Sequence, residues 1–413
     1  MSAHILLVSL PDRGHIYPHV ALAKELVHRG HRVGFVTAAS MAELVASSGA
    51  AFIPYASAYE AVDDKVGTAN DNNGAAMLDL GVDECDAMVR AAEEALSGDR
   101  PDLVAYDYAT YQAGRLLEHK WGVPIVTLSP IFAQNETFSY AQAFAAGGYS
   151  DASPPMTMEE YLAHPAMAGW VAKNRQLLAD HGLAHVPIAD FLTIVRDDTI
   201  AYVPAELQPR RDSFDARFTF VGPCLSDRPG LPSWQPPGED RPVVLVSLGT
   251  LFNEHVGFFK TSVDAFADSP FHVVMTLGNG IDPEQLGPLP DHVEVHRWVS
   301  HLDVLEHARA FVTLGGMSSV NDALALGCPL VVVPLSSVLE RVTAHQVRKA
   351  GIGVELEARQ PEELTPEMLR TAVETVIGDP AFGRNAARVR EHVRRAGGTA
   401  AAADTLEARL ARR

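Results

Sequence analysis

With 413 residues, 47% of them hydrophobic and 21% charged, the chain is long enough for two or three domains, each with its own core. A formal net charge of −19 excludes nucleic acid and anionic membrane surfaces as main partners, because both would be repelled, but leaves room for an anionic small molecule in a locally positive pocket. Apolar runs stop well short of the ~20 residues of a membrane span, residues 1–10 carry no basic start or small-residue cleavage pattern, and Cys85, Cys224 and Cys328 form neither a disulfide framework nor a zinc pattern, so a cytoplasmic protein is expected.

Residues 4–10 read as a strand, followed by Pro11-Asp12-Arg13-Gly14-His15-Ile16-Tyr17-Pro18 as a turn into an amphipathic helix over 18–29, with Gly30 as its stop. A strand at 32–37 completes a βαβ opening. The alternation continues with a strand at 51–54, a helix near 83–96, a strand at 103–107, a helix at 111–121 and a strand at 124–129. Continuous apolar strands separated by helices indicate a parallel sheet covered on both faces, with ligands at the carboxyl ends of its strands. Between 130 and 199 the pattern loosens around Phe132, Phe138, Tyr140, Phe144, Met156, Met158, Tyr161 and Trp170. An insertion of this length with its own helices is more often functional than a mere connector. It is expected to wall an apolar ligand, the other reading for any one residue being a satellite core.

Strand character returns at 200–203 and 218–222, and then 225–241 is dense in Pro and Gly, as an inter-domain linker would be. A second alternation follows, with strands at 242–249, 272–277, 293–299, 311–315 and 329–334, a helix reaching 266 and another over 318–326. The expected organisation is an N-terminal domain over 1–225, a linker over 226–241, a second domain over 242–395 and a terminal helix over 396–413. The end of the chain as a whole, 361–413, helical and rich in Ala and Arg, either completes the second domain or packs back across the hinge. The crevice between two such domains is the default ligand site.

Several residues in these positions can carry chemistry. His15, directly after the first strand, can serve as a general base if a carboxylate orients its other ring nitrogen, and Asp107, ending a strand of the same domain, can be that carboxylate. Turn and cap roles are the other reading of both. Gly315 and Gly316 form a strand-to-helix turn, where the free N–H groups of Gly316, Met317, Ser318 and Ser319 and the serine hydroxyls would favour an anion; tight packing is the alternative. Trp298 offers a plane on which a base can stack. Ser247, Gly249 and Thr250 close another strand toward the same crevice. No Gly-x-Ser-x-Gly or Gly-x-Gly-x-x-Gly pattern is present, and no Asp-x-Asp pair suits a divalent metal.

The chain resembles the family 1 glycosyltransferases of GT-B fold, of the bacterial antibiotic and macrolide type. The matching residues are Gly14-His15 before Pro18, the run 101–107 ending in Asp107, Val221-Gly222-Pro223-Cys224, Val246-Ser247-Leu248-Gly249-Thr250, Trp298-Val299, and Phe311-Val312-Thr313 through Gly315-Gly316-Met317. They span nearly the whole chain in the right order. The resemblance implies an α/β fold of two Rossmann-like parallel-sheet domains and an inverting transfer of a sugar from a nucleotide diphosphate to a hydroxyl of a hydrophobic acceptor. His15 would deprotonate the acceptor and Asp107 would orient it. Trp298 would stack the donor base and the Val299 backbone would pair with it. Gly316, Ser318 and Ser319 would hold phosphate, Asp322 the ribose, and Thr250 phosphate or sugar. Phe132, Phe138 and Tyr140 fall in the region that would hold the acceptor. No metal or other cofactor is implied beyond the nucleotide-sugar co-substrate, and a homodimer is left open.

The departures from the family pattern are informative. Leu314 stands where the family has a His that donates to the diphosphate, and one hydrogen bond to a charged group is typically ~1.5–3 kcal/mol. Pro334-Leu335-Ser336-Ser337-Val338-Leu339-Glu340-Arg341 stands where an acidic residue and Gln usually meet sugar hydroxyls; Glu340 can fill the acidic role, while Arg341 replaces the amide. Ser300 replaces a Pro. A deoxygenated sugar would fit this loss of polar partners. The other reading is a degenerate homologue that binds a small molecule, serves as an auxiliary subunit or catalyses non-glycosyl chemistry, and against it stands the joint retention of His15 and Asp107.

Overall fold

The computed structural model describes residues 2–61, 74–140, 143, 158–193, 196–225, 228, 230–238, 241–249, 254–335, 337–358 and 360–412. Thr250, Phe144, Met156 and Ser336 lie outside the described residues, as do the side chains of Met158 and Tyr161.

Seven strands form the first sheet: β1 (His4–Val8), β2 (Arg32–Ala38), β3 (Ala51–Tyr55), β4 (Leu103–Asp107), β5 (Ile125–Ser129), β6 (Thr199–Ala201) and β7 (Phe218–Phe220). They run in the order β3-β2-β1-β4-β5-β6-β7, and every neighbouring pair is parallel. The second sheet has β8 (Val243–Ser247), β9 (His272–Thr276), β10 (Val293–His296), β11 (Ala308–Thr313), β12 (Leu330–Val332) and β13 (Gly353–Glu355), all parallel in the order β10-β9-β8-β11-β12-β13. The main helices are α1 (Arg13–His28), α2 (Gly74–Ala95), α3 (Tyr111–Trp121), α4 (Ala168–Asp180), α5 (Val256–Phe266), α6 (His301–Leu305), α7 (Met317–Leu326), α8 (Val338–Lys349), α9 (Pro366–Gly378), α10 (Pro380–Ala396) and α11 (Gly398–Leu410).

The continuous apolar strands explain the layering. In β1 alternate residues face opposite ways: Ile5 and Leu7 pack with Ile16 and Leu22 of α1, while Leu6 and Val8 pack with Met88 and Val89 of α2 and Leu116 of α3. β8 repeats this, with Val243 and Leu245 toward Val320 and Leu324 of α7 and Val244 and Val246 toward Phe258 of α5 and Leu369 of α9. Strand order reverses between β1 and β4 in one sheet and between β8 and β11 in the other. Those are the switch points at which loops diverge and leave a crevice.

Some expected boundaries move. The first helix begins at Arg13 instead of residue 18, because Asp12 caps it: its Oδ1 accepts from the N–H groups of Gly14 (2.7 Å) and His15 (3.2 Å). Pro18 therefore lies inside the helix, where its missing N–H leaves the Gly14 carbonyl without the usual donor one turn on. His15 is a first-turn helical residue, held more firmly than a turn residue would be. α2 starts at Gly74, upstream of the expected 83, and β10 stops at His296, so Trp298 lies beyond the strand. Helix α8 and strand β13 have no counterpart in the sequence reading.

The terminal segment does both things left open above. α10 packs its Ala386 and Val389 in the core that holds α7, and α11 then crosses to α1, burying Ala402, Ala403 and Leu406 beside Val20 and Leu22. Arg29 at the end of α1 bonds Asp404 (2.6 Å) and Glu407 (2.9 Å), and His31 meets Glu407 at 2.9 Å. The two sheets also share buried surface: Phe132, Phe138, Val203 and Phe218 belong to the same cluster as Val320 and Val389.

Candidate functional site

Both switch points open on one cleft. From the first sheet it is lined by Asp12, Arg13, Gly14, His15, Tyr17 and Ile131. From the second it takes the ends of β8 and β11, the start of α7 and the loop bearing Trp298.

On the first side, β4 delivers Asp107 fully buried beside the start of α1. His15 Nδ1 lies 2.9 Å from Asp107 Oδ2, and the imidazole is 20% exposed, enough to reach a ligand in the cleft. Tyr108 stacks on the ring at a centroid distance of 5.6 Å and holds its plane. The other carboxylate oxygen accepts from the Ala109 N–H at 2.8 Å. Burial by itself would depress the His15 imidazole, but the charge and hydrogen bond of Asp107, helped by the charge of Asp12, override it and lift the pKa to about 9. Asp107 is opposed by its own burial, yet the facing imidazoles hold its carboxyl below the usual range.

A second imidazole, absent from the sequence reading, faces the same carboxylate. His19 follows His15 by one helical turn, is 1% exposed, and places Nε2 3.7 Å from Asp107 Oδ2. Its Nδ1 is 3.1 Å from Ser9 Oγ. Burial, reinforced by the His15 charge and countered by Asp107, pushes its pKa down to about 4, so it is neutral where His15 is charged. The i, i+4 spacing of two histidines was the available signal.

On the second side, Gly316 precedes α7 with no side-chain cap, so the N–H groups of Met317, Ser318 and Ser319 open on the cleft. Gly315 has φ +97°, and a Cβ there would come within 2.8 Å of Val332 Cγ1, so the turn requires glycine. Trp298 is half-buried in the cleft wall, its Nε1 donating to Asn279 Oδ1 at 2.8 Å, and Val299 is buried behind it. Ser300 caps α6. Ser247 and Gly249 line the cleft after β8, with the Gly249 N–H donating to Ser247 Oγ at 3.2 Å.

Other expected residues are engaged differently. Leu314 lines the cleft floor but is only 3% exposed and packs with Val246 and Val333, so the position is part of an apolar core. Glu340 reaches the cleft wall, yet its Oε2 accepts from the Ser337 N–H at 3.2 Å while Ser337 Oγ accepts from the Glu340 N–H, a reciprocal cap of α8. Asp322 is buried and its two oxygens each accept from Arg228 Nη2 at 2.7 Å. Phe132 and Phe138 are corrected from cleft wall to core: both are at most 2% exposed, because the chain after β5 turns into the cluster between the sheets, and Pro130 and Ile131 line the cleft in their place. Tyr140 packs half-buried against that cluster. Arg228 and His301, both lining the cleft, were not singled out from sequence; Arg228 sits in a Pro/Gly-rich stretch with no periodicity to orient it. Among the described residues no group of three or more His, Cys, Asp or Glu is arranged to hold a metal ion, and no helix is long and apolar enough to cross a membrane.

Comparison with known proteins gives a consistent result. Residues 11–113 match the glycosyltransferase family 28 N-terminal domain, and residues 260–407 match the erythromycin biosynthesis protein CIII-like C-terminal domain. The chain is 33% identical to demethyllactenocin mycarosyltransferase of Streptomyces fradiae, over 99% of this chain and 87% of that one. It is likewise 33% identical to oleandomycin glycosyltransferase of Streptomyces antibioticus, over 99% and 91%. Among solved structures, the calicheamicin glycosyltransferase CalG4 superposes with a TM-score of 0.82 at 37% identity, covering 100% of this chain and 99% of that one.

Proposed function

Since the chain belongs to the bacterial antibiotic and macrolide glycosyltransferases of GT-B fold, we propose that it moves a sugar, with inversion, from a nucleotide diphosphate donor to a hydroxyl of a hydrophobic natural product. The observation that carries this reading is the His15–Asp107 pair at 2.9 Å, on one wall of a cleft whose other wall holds the uncapped start of α7. His15 Nε2 takes the acceptor hydroxyl proton as the oxygen bonds to the anomeric carbon. The bond from that carbon to the diphosphate oxygen breaks, and its electron pair leaves with the nucleoside diphosphate. Asp107 keeps Nδ1 protonated and offsets the imidazolium charge. The N–H groups of Met317, Ser318 and Ser319 and the α7 dipole meet the charge growing on the leaving group. Trp298 stacks the base. Leu314 and Leu339, which line the cleft, favour a sugar with fewer hydroxyls, since a polar group buried against them would lack a partner.

Calorimetric titration with thymidine and uridine diphosphates tests the donor half. Binding of at least one is expected, and absence of both at millimolar concentration would overturn the proposal. His15→Ala is expected to abolish transfer while leaving nucleotide affinity intact; joint loss would mean that the base is misassigned.

A further inference from the structure

Arg228 comes from the linker and ends inside the cleft, where it touches both halves of the molecule. Its Nη2 donates to both oxygens of Asp322 on α7, and its guanidinium carbon lies 5.0 Å from the ring centroid of Tyr17 on α1. Its Nε is buried and has no hydrogen-bond partner among the described residues. A buried N–H of a cation is costly to leave unmade, and because Arg228 lines the cleft, an acceptor on a ligand bound there would complete the arrangement. Asp322 follows Ser318 by four residues and Ser319 by three, so Arg228 is held about one helical turn from the uncapped N–H groups of α7. Leu314, at the same turn, supplies no donor.

We propose that Arg228 is a donor-binding residue: Asp322 and Tyr17 hold its guanidinium so that the remaining N–H groups meet a phosphate of the nucleotide, in place of the donor that Leu314 lacks. Guanidinium suits the task because one edge can stay on the carboxylate while another meets the phosphate, which a lysine cannot do. Asp322 is then an orienting group as well as a neighbour of the ribose. The inference rests on the donor reading of the cleft given above.

Removing Arg228 alone would strand a buried carboxylate, so the test compares Arg228→Met in an Asp322→Asn background with Asp322→Asn itself, by calorimetry with thymidine diphosphate and with thymidine. Loss of Arg228 is expected to weaken diphosphate binding by about tenfold or more, the size of one charge-assisted hydrogen bond, while thymidine binding stays unchanged. Arg228→Lys is expected to restore part of the loss. Equal diphosphate affinity with and without Arg228, or an equal loss for thymidine, would overturn the proposal and leave the donor reading standing. A wild-type protein that binds neither thymidine nor uridine diphosphate would remove the donor reading itself, and the role of Arg228 with it.

Discussion

Asp107 presents one oxygen to two imidazoles of the same helix, at 2.9 Å for His15 and 3.7 Å for His19, and the difference in burial and distance leaves the first charged and the second neutral at neutral pH. A base with a pKa of about 9 is protonated at neutral pH, so kcat/KM, which reports the free enzyme, is expected to rise about tenfold per pH unit and level off near pH 9. Asp107→Asn removes the main raising charge and leaves burial, the largest influence, opposed only by the smaller effect of Asp12. The rise should then move to below pH ~6.5, with a rate loss of roughly 10²–10⁴. An unmoved profile in the variant would refute the assignment of the pair. The same pair contributes to folding in the opposite sense: because the folded pKa is the higher one, its stabilisation is full below the unfolded value of ~6.5 and is lost as pH rises through about 9. Asp107 was legible in the sequence because it ends an apolar strand, and His15 because it lies where the chain turns from the first apolar strand into the helix that follows. The choice of cap was not legible, since it took the carboxylate of Asp12, and not Pro18, to set where the helix starts.

At the level of elements, α11 is a strap that leaves the second sheet and ends on the first. Leu406 is fully buried against α1, so Leu406→Ala is expected to cost ~2–5 kcal/mol, measurable by urea unfolding. A cost under ~0.5 kcal/mol would mean that α11 detaches in solution. The helical pattern of this segment was plain from its Ala and Arg content. Its destination was not, because an amphipathic face specifies that it must be covered and not by which partner. α8 shows a related limit: Ser337 and Glu340 form a capping box that opens a helix, and their spacing was available, but the same Glu340 was read as a ligand for sugar.

On the scale of the molecule, two sheets place their switch points on one cleft, and any ligand that binds there binds only the folded state. The nucleoside diphosphate that binds best is therefore expected to raise stability by ~2.7 kcal/mol at 100 times its Kd, seen as a rise in Tm, and to do so equally in His15→Ala. A shift confined to the wild type would place the nucleotide against His15 and contradict the division of labour between the two walls. Sequence alone determined the layered α/β architecture, the division into two parallel-sheet halves, the strand end at Asp107 and the Gly315-Gly316 turn, because all of these follow from local periodicity and from residues that a strand end or tight turn requires. Only the tertiary structure decided that Asp322 is held by Arg228, that His19 shares Asp107, that Phe132 and Phe138 are core, and that α11 returns to α1. Each of these joins residues far apart in the chain, or sets which way a side chain faces, and local pattern carries no information about either.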